Sequence, residues 1–182
     1  TSKSDWEAII SKFGIKNSDH VVIYDNSDLI SSCRVWYNFL YFGHNPNLVS
    51  VLNGGLKKWL SEKKQTTKEI KHFTNSNYFA KENLDLVLSK FQIDLNIKNK
   101  NIEIIDARSK ERFIGLHPEP RKELRSGNIE GSKNLPYTDL INNKDRTFKK
   151  KDELVSIFMR NKININKQLA FTCGSAVTAC IL

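Results

Sequence analysis

Near its C-terminus the chain reads Gln168-Leu169-Ala170-Phe171-Thr172-Cys173-Gly174-Ser175-Ala176-Val177-Thr178. An apolar run delivers a cysteine into a loop of small residues, and a helix-like segment starts directly behind it. The N-terminal half holds a second strand-to-loop junction of this kind. Val21-Val22-Ile23-Tyr24 reads as a buried strand running to Asp25, and a helix is predicted behind it over about residues 32–42. In that helix Val35, Trp36, Phe39 and Leu40 face inward, and Gly43 closes it. Laid over one another, the paired junctions put Asp25 where Cys173 stands, as a short internal repeat would. Residues 48–52 form another strand, Gly54-Gly55 opens a short helix carrying Trp59, and residues 102–105 make a strand that ends at Asp106. Helices alternating with short apolar strands mean an α/β fold with parallel sheets flanked by helices.

The rest of the chain fills in around these elements. Ser4-Asp5-Trp6-Glu7 reads as a capping box with Ser4 as N-cap, ahead of Trp6, Ile9, Ile10 and Phe13 at helical spacing and Gly14 as the stop. Residues 61–77 are polar and weakly patterned, as a linker would be. Leu84, Val87, Leu88 and Phe91 mark a further helix, and Leu154, Ile157 and Phe158 another, with a loop-rich stretch over residues 108–136 between them.

Composition narrows the function classes. A length of 182 residues with 39% hydrophobic content is enough for a packed core. No run approaches a membrane span, and no apolar signal-peptide core opens the chain. Three cysteines with no Cys-x-x-Cys pair fit a reducing compartment rather than a disulfide scaffold or a zinc site. The net charge of +9 is spread along the chain, without the basic helix or aromatic-studded basic strand that nucleic acid would require. Its milder consequence is attraction of small anions.

Cys173 is the residue for which chemistry is expected. Backbone N–H groups at the start of a helix stabilise a thiolate, and small neighbours leave room for a substrate. A small buried core cysteine is the alternative. Ser175 and Thr178 carry hydroxyls able to bond the sulfur or assist proton movement, although both types also favour helix starts. A cysteine phosphatase would cradle phosphate in such a loop, but the arginine it needs at the loop's end is absent where Thr178 stands.

Several motifs in order resemble the two-domain sulfurtransferases of the rhodanese superfamily, of the 3-mercaptopyruvate type. Val22-Ile23-Tyr24-Asp25, Arg34-Val35-Trp36, Phe42-Gly43-His44 and Val51-Leu52-Asn53-Gly54-Gly55-Leu56 with Trp59 are similar to the later part of the family's catalytically silent first domain. Asp106-Ala107-Arg108, Arg112-Phe113, Pro118-Glu119-Pro120-Arg121, Gly127-Asn128-Ile129-Glu130-Gly131 and Asn134-Leu135-Pro136 resemble the earlier part of its catalytic domain, and Cys173-Gly174-Ser175-Ala176-Val177-Thr178 its active-site loop. The resemblance implies tandem rhodanese-like domains, both incomplete here. Residues 1–62 would belong to the silent domain, 63–77 to a linker and 78–182 to the catalytic domain as far as its loop. A fragment truncated at both ends is expected.

The same resemblance implies roles. Cys173 would be the catalytic nucleophile with Ser175 beside it, while Gly174, Ala176, Val177 and Thr178 would line the substrate. Arg112 and Arg121 would hold the carboxylate of a 2-oxo acid, for which a guanidinium fork is well shaped. Sulfur would pass from 3-mercaptopyruvate through a Cys173 persulfide to a thiol acceptor, such as a thioredoxin or a low-molecular-weight thiol, or to cyanide, releasing pyruvate. Thiosulfate as donor, or a non-catalytic rhodanese-like binding module, are the alternatives. Small, uncharged Gly174 and Ser175 resemble the mercaptopyruvate type, since thiosulfate-type members carry charged residues there. No metal, organic cofactor, nucleic acid or membrane is implied. The cytoplasm is the expected location, with an organelle matrix as the alternative.

Departures from the family pattern are Ala176, where glycine is commonest and a positive φ would strain alanine, and Asn128 and Glu130, expected to shape a turn. Asp106 and Arg108 are expected to buttress loops, and Cys33 and Cys180 to be structural. Asp25 in the nucleophile's place would leave the first domain inert, because a carboxylate cannot form a persulfide.

Overall fold

A computed structural model describes residues 1–182 with the exception of residue 28. The chain divides into two compact units, Thr1–Val87 and Leu88–Leu182. Among the described residues no helix is long and apolar enough to cross a membrane.

In the first unit, α1 (Lys3–Lys12) starts ahead of the position its sequence pattern predicts. Ser2 rather than Ser4 is the N-cap, and Asp5 completes the capping box by accepting the Ser2 N–H at 3.1 Å. Glu7 is thereby free to bond elsewhere, and its carboxylate accepts the Ala80 N–H at 2.8 Å. The strands β1 (Val21–Ile23) and β2 (Val49–Val51) pair in parallel, with Val21 opposite Val49 and Ile23 opposite Val51. Between them runs α2 (Ile30–Tyr41), and α3 (Gly55–Ser61) follows β2. Of the residues expected on the inner face of α2, Phe39 is buried while Val35 is exposed; Cys33 takes an inward position instead, one that fits the same helical stripe.

The core of this unit is aromatic. Trp6 stacks on Phe42 with ring centroids 5.0 Å apart and meets Phe39 edge-on at 5.1 Å. Tyr78 and Ala80 belong to the same core. The segment after residue 77 therefore packs back onto the first unit, where the sequence had the catalytic domain begin. Tyr78 meets His44, whose Nδ1 lies 3.1 Å from the Tyr78 hydroxyl. His44 is buried as a core histidine, with its Nε2 3.1 Å from the Asp19 carbonyl.

The second unit is a three-stranded parallel sheet in the order β4-β3-β5. Its strands are β3 (Ile102–Asp106), β4 (Lys133–Asn134) and β5 (Gln168–Thr172), with Asp106 opposite both Asn134 and Thr172. The helix α4 (Lys90–Asn99) begins at a Ser89 capping box with Gln92, later than the apolar spacing of residues 84–91 implies. Leu84 and Val87 are exposed, and Val87 is extended, so that spacing spans a short 3-10 turn and a unit boundary rather than one helix face. A short helix α5 (Lys110–Phe113) follows β3, and α6 (Lys151–Arg160) precedes β5 with Ile157 buried. Both expected strand-to-loop junctions exist, and both lie at C-terminal strand ends, where open parallel sheets place ligands.

The loop after β1 is closed by Asp25. Its carboxylate accepts N–H groups from Ser27 (3.1 Å), Leu29 (3.2 Å) and Ser32 (2.6 Å), and the Ser27 hydroxyl at 3.0 Å. Partial burial pushes the Asp25 carboxyl up, but these bonds outweigh it and hold it below the usual carboxylate value. Closure strains Leu29, which is fully buried with φ at +68°, a left-handed conformation costly for a leucine.

Replacing Asp25 with alanine leaves those donors unpaired, and a loss of about 1–3 kcal/mol is expected. Because the folded carboxyl titrates below its unfolded value, its contribution is full above the unfolded pKa and fades as pH falls through the folded one. All three tryptophans lie in the first unit, so urea unfolding followed by their fluorescence at neutral and acid pH reads the difference.

Candidate active site

The site is built where β5 and β3 end side by side. Cys173 is the first residue beyond β5, and its sulfur is the focus of the loop behind it. The Ser175 N–H lies 3.5 Å from Sγ. Burial pushes the thiol up, yet the Thr178 hydroxyl and the N–H groups of Ser175, Ala179 and Thr178 outweigh it and hold Cys173 below the ordinary cysteine value. The expected helix start is a 3-10 turn, Thr178–Cys180, and its amides supply the dipoles.

Each loop residue has a distinct place. Ser175 contributes its backbone N–H, while its side chain lies at the exposed rim. Thr178 contributes a hydroxyl as well as an N–H. Val177 caps the 3-10 turn, and its carbonyl accepts the Cys180 N–H at 3.2 Å. Ala176 has φ at +56°, so the condition under which alanine strains this loop is met. Its carbonyl accepts the Cys180 thiol at 3.0 Å, which ties Cys180 into the loop behind Cys173. Cys33 is buried in the first unit.

Gly174 is the point of contact between the loop and the arginines. A Cβ built on it would stand 2.8 Å from Arg112 Nη2 and 3.5 Å from Glu119 Oε2. Any side chain there would displace the guanidinium. Arg112, on α5, is bound edge-on by Glu119, with Nε to Oε1 at 3.1 Å and Nη2 to Oε2 at 2.5 Å. The Nε–Nη2 fork of Arg112 is thus occupied. The outer end, Nη1 with the second Nη2 hydrogen, is the remaining edge for an anion.

Glu119 also accepts Arg108 Nη1 at 2.7 Å. Arg108 is held in turn by the Asp106 carboxylate, with three contacts of 2.6–3.0 Å, and by the Gly127 carbonyl at 2.7 Å. Asp106 and Arg108 buttress the loops, as their sequence positions imply. The Glu119 side chain is 2% exposed, and Arg112 chiefly, then Arg108, holds its carboxyl below the usual range. Glu119 is the site residue that sequence reasoning left unassigned. Its signal was an isolated acid between two prolines in a stretch holding Arg108, Arg112, Arg121 and Arg125.

Arg121 is exposed in the same loop and takes no part in this network. The structure brings Cys173, Gly174, Ser175, Thr178 and Arg112 together and leaves Arg121 at the surface. Asn128 shapes the loop's base through a 2.9 Å bond from its amide to the Phe113 carbonyl, and Glu130 is exposed. Among the described residues, no group of three or more His, Cys, Asp or Glu side chains could hold a metal ion.

Known proteins share this arrangement of chain. The rhodanese-like domain family matches residues 2–62. Mouse (Mus musculus) thiosulfate sulfurtransferase is 38% identical over 182 residues, covering 98% of this chain and 60% of that protein. Mouse 3-mercaptopyruvate sulfurtransferase is 36% identical over 169 residues, covering 92% of this chain and 56% of the relative. The crystal structure of SseA from Escherichia coli, described as a 3-mercaptopyruvate sulfotransferase with the rhodanese fold, superposes with a TM-score of 0.84 at 29% identity, over 97% of this chain and 64% of that one. The chain thus spans about 60% of the length of the curated relatives it matches.

Two outcomes test the loop itself. Ala176→Gly removes the left-handed penalty and is expected to stabilise the second unit by about 0.5–1 kcal/mol, read as a higher urea midpoint by circular dichroism. Thr178→Val removes the hydroxyl from the sulfur, and the pH midpoint for Cys173 alkylation by iodoacetamide is expected to move upward.

Proposed function

We propose that this chain is part of a rhodanese-superfamily sulfurtransferase that uses 3-mercaptopyruvate as donor and Cys173 as carrier. The Cys173 thiolate attacks the donor's sulfur, the carbon–sulfur bond breaks, and its electron pair passes to carbon as the enolate of pyruvate. A proton then returns to that carbon, leaving pyruvate and a Cys173 persulfide. An acceptor thiolate attacks the outer sulfur next and regenerates the Cys173 thiolate, which leaves as the stabilised anion of its loop. The loop amides and the Thr178 hydroxyl serve both the attacking thiolate and the persulfide, acting on sulfur as preorganised dipoles act on an oxyanion.

The observation that carries the donor assignment is the approach of Arg112 to Gly174. Only a residue without a side chain admits a guanidinium at that point. Arg112 then offers its outer edge to a carboxylate while residues 174–178 add no cation to the loop. A 2-oxo carboxylate with a neutral thiol end suits that charge balance. Arg121, exposed in the same loop, is the second carboxylate ligand of this proposal. In this reading the first unit is the silent copy, with Asp25 in the nucleophile's position.

Thiosulfate is the second reading, favoured by the 38% identity to mouse thiosulfate sulfurtransferase. Its second negative charge asks for cations in the cysteine loop, and residues 174–178 supply none. The acceptor, a small thiol or a thioredoxin-like protein, is part of the proposal.

Mass spectrometry of Cys173 after exposure to each donor separates the readings. Mercaptopyruvate is expected to add one sulfur atom faster than thiosulfate does, and Cys173→Ser to add none. Gly174→Arg is expected to slow loading from mercaptopyruvate by about tenfold or more, roughly 1.4 kcal/mol of transition-state stabilisation. Faster loading from thiosulfate overturns the donor assignment. An unimpaired biological role for Cys173→Ser overturns the enzyme reading in favour of a binding module.

A further inference from the structure

Glu119 touches neither the sulfur nor the loop amides, yet it joins the arginines of the site. Its carboxylate accepts three hydrogen bonds, one from Arg108 and two from Arg112, and its side chain is 2% exposed. Arg112 is the most exposed member of the network, at 27%. Arg108 is fixed to Asp106, the last residue of β3, which lies in register with Thr172, the residue before Cys173. A continuous chain of contacts thus runs from the sheet through Asp106, Arg108 and Glu119 to Arg112 and ends over Gly174.

We propose that Glu119 is a positioning residue: it aims the outer edge of Arg112 at the space beside Cys173, and so selects donors that carry a carboxylate. The inference rests on the carboxylate-donor reading above. Two charge-assisted bonds to one planar group fix both its place and its plane, which a single bond or a bare counter-charge does not. The alternative role is neutralisation. Two carboxylates face two guanidiniums here, and a carboxylate that merely cancelled charge would oppose anion binding rather than assist it. The two roles predict opposite signs.

The test uses Cys173 itself and needs no sulfur donor. Iodoacetate and iodoacetamide alkylate the same thiolate, and only the first carries a carboxylate. The ratio of their rate constants on the full chain therefore reads carboxylate recruitment, while the iodoacetamide rate alone reports whether the loop is intact. Glu119→Asp keeps the charge and withdraws it by one methylene. If Glu119 positions Arg112, this variant lowers the ratio on the order of tenfold, the scale of one lost charge-assisted hydrogen bond. Glu119→Gln is expected to do the same. Arg112→Ala is expected to lower the ratio equally, and the double variant Arg112→Ala with Glu119→Asp to lower it no further.

An unchanged ratio in Glu119→Asp, or a raised one in Glu119→Gln, overturns the positioning role while leaving Arg112 and the donor reading in place. An unchanged ratio in Arg112→Ala overturns the carboxylate-donor reading, and the positioning role with it. If Glu119→Gln alone loses the iodoacetamide rate through misfolding, Glu119→Asp decides.

Discussion

Backbone N–H groups that converge beyond the end of a parallel strand need an acceptor, and both units are organised by that requirement. After β5 the amides of Ser175, Thr178 and Ala179 are directed at the Cys173 sulfur, and against its burial the thiol is held low by the Thr178 hydroxyl together with them. After β1 the amides of Ser27, Leu29 and Ser32 are directed at the Asp25 carboxylate. One thing differs: the acceptor is a thiol in one unit and a carboxylate in the other. Each loop also contains a residue other than glycine at positive φ, Ala176 in one and Leu29 in the other. Local strain is tolerated because the hydrogen bonds around the anion over-determine the loop.

The arginines answer a second requirement. Two loose guanidiniums on a loop would supply positive charge without direction. Burying Asp106 against Arg108, and Glu119 between Arg108 and Arg112, converts loose charge into fixed geometry. Such a buried network contributes less to stability than to defining one arrangement, since desolvation offsets much of the attraction. Breaking one member strands the others.

Much of this was legible in the sequence because it is local. The strands leading to Asp25 and Cys173 are short apolar runs, and the small residues after Cys173 announce a loop. The family's usual glycine raised a positive φ at Ala176 as a condition, and the loop meets it. Contacts between distant residues were harder to read. Glu119 acts through residues seven and eleven positions away, and its proline neighbours hide it from any periodicity. Tyr78 and Ala80 follow a polar stretch that resembles a linker, and only the aromatic pocket of Trp6, Phe39 and Phe42 explains why the chain turns back there. The cap of α1 lies at Ser2 rather than Ser4 because both serines head acceptable boxes, and the long-range bond from Glu7 to Ala80 breaks the tie. Arg121, expected to face the cysteine, lies exposed, and among the described residues no buried acid reaches it as Glu119 reaches Arg112.

The Asp25 loop has one more consequence. A carboxylate on the same chain as its receptor competes with any dissolved anion at an effective concentration set by the tether, far above that of free solutes. The first unit's cradle is therefore liganded by its own chain wherever Asp25 is ionised. The second unit's cradle holds the Cys173 thiol instead, a group whose charge and substituents are open to change. A chain that carries both contains a responsive receptor and its own constant internal reference.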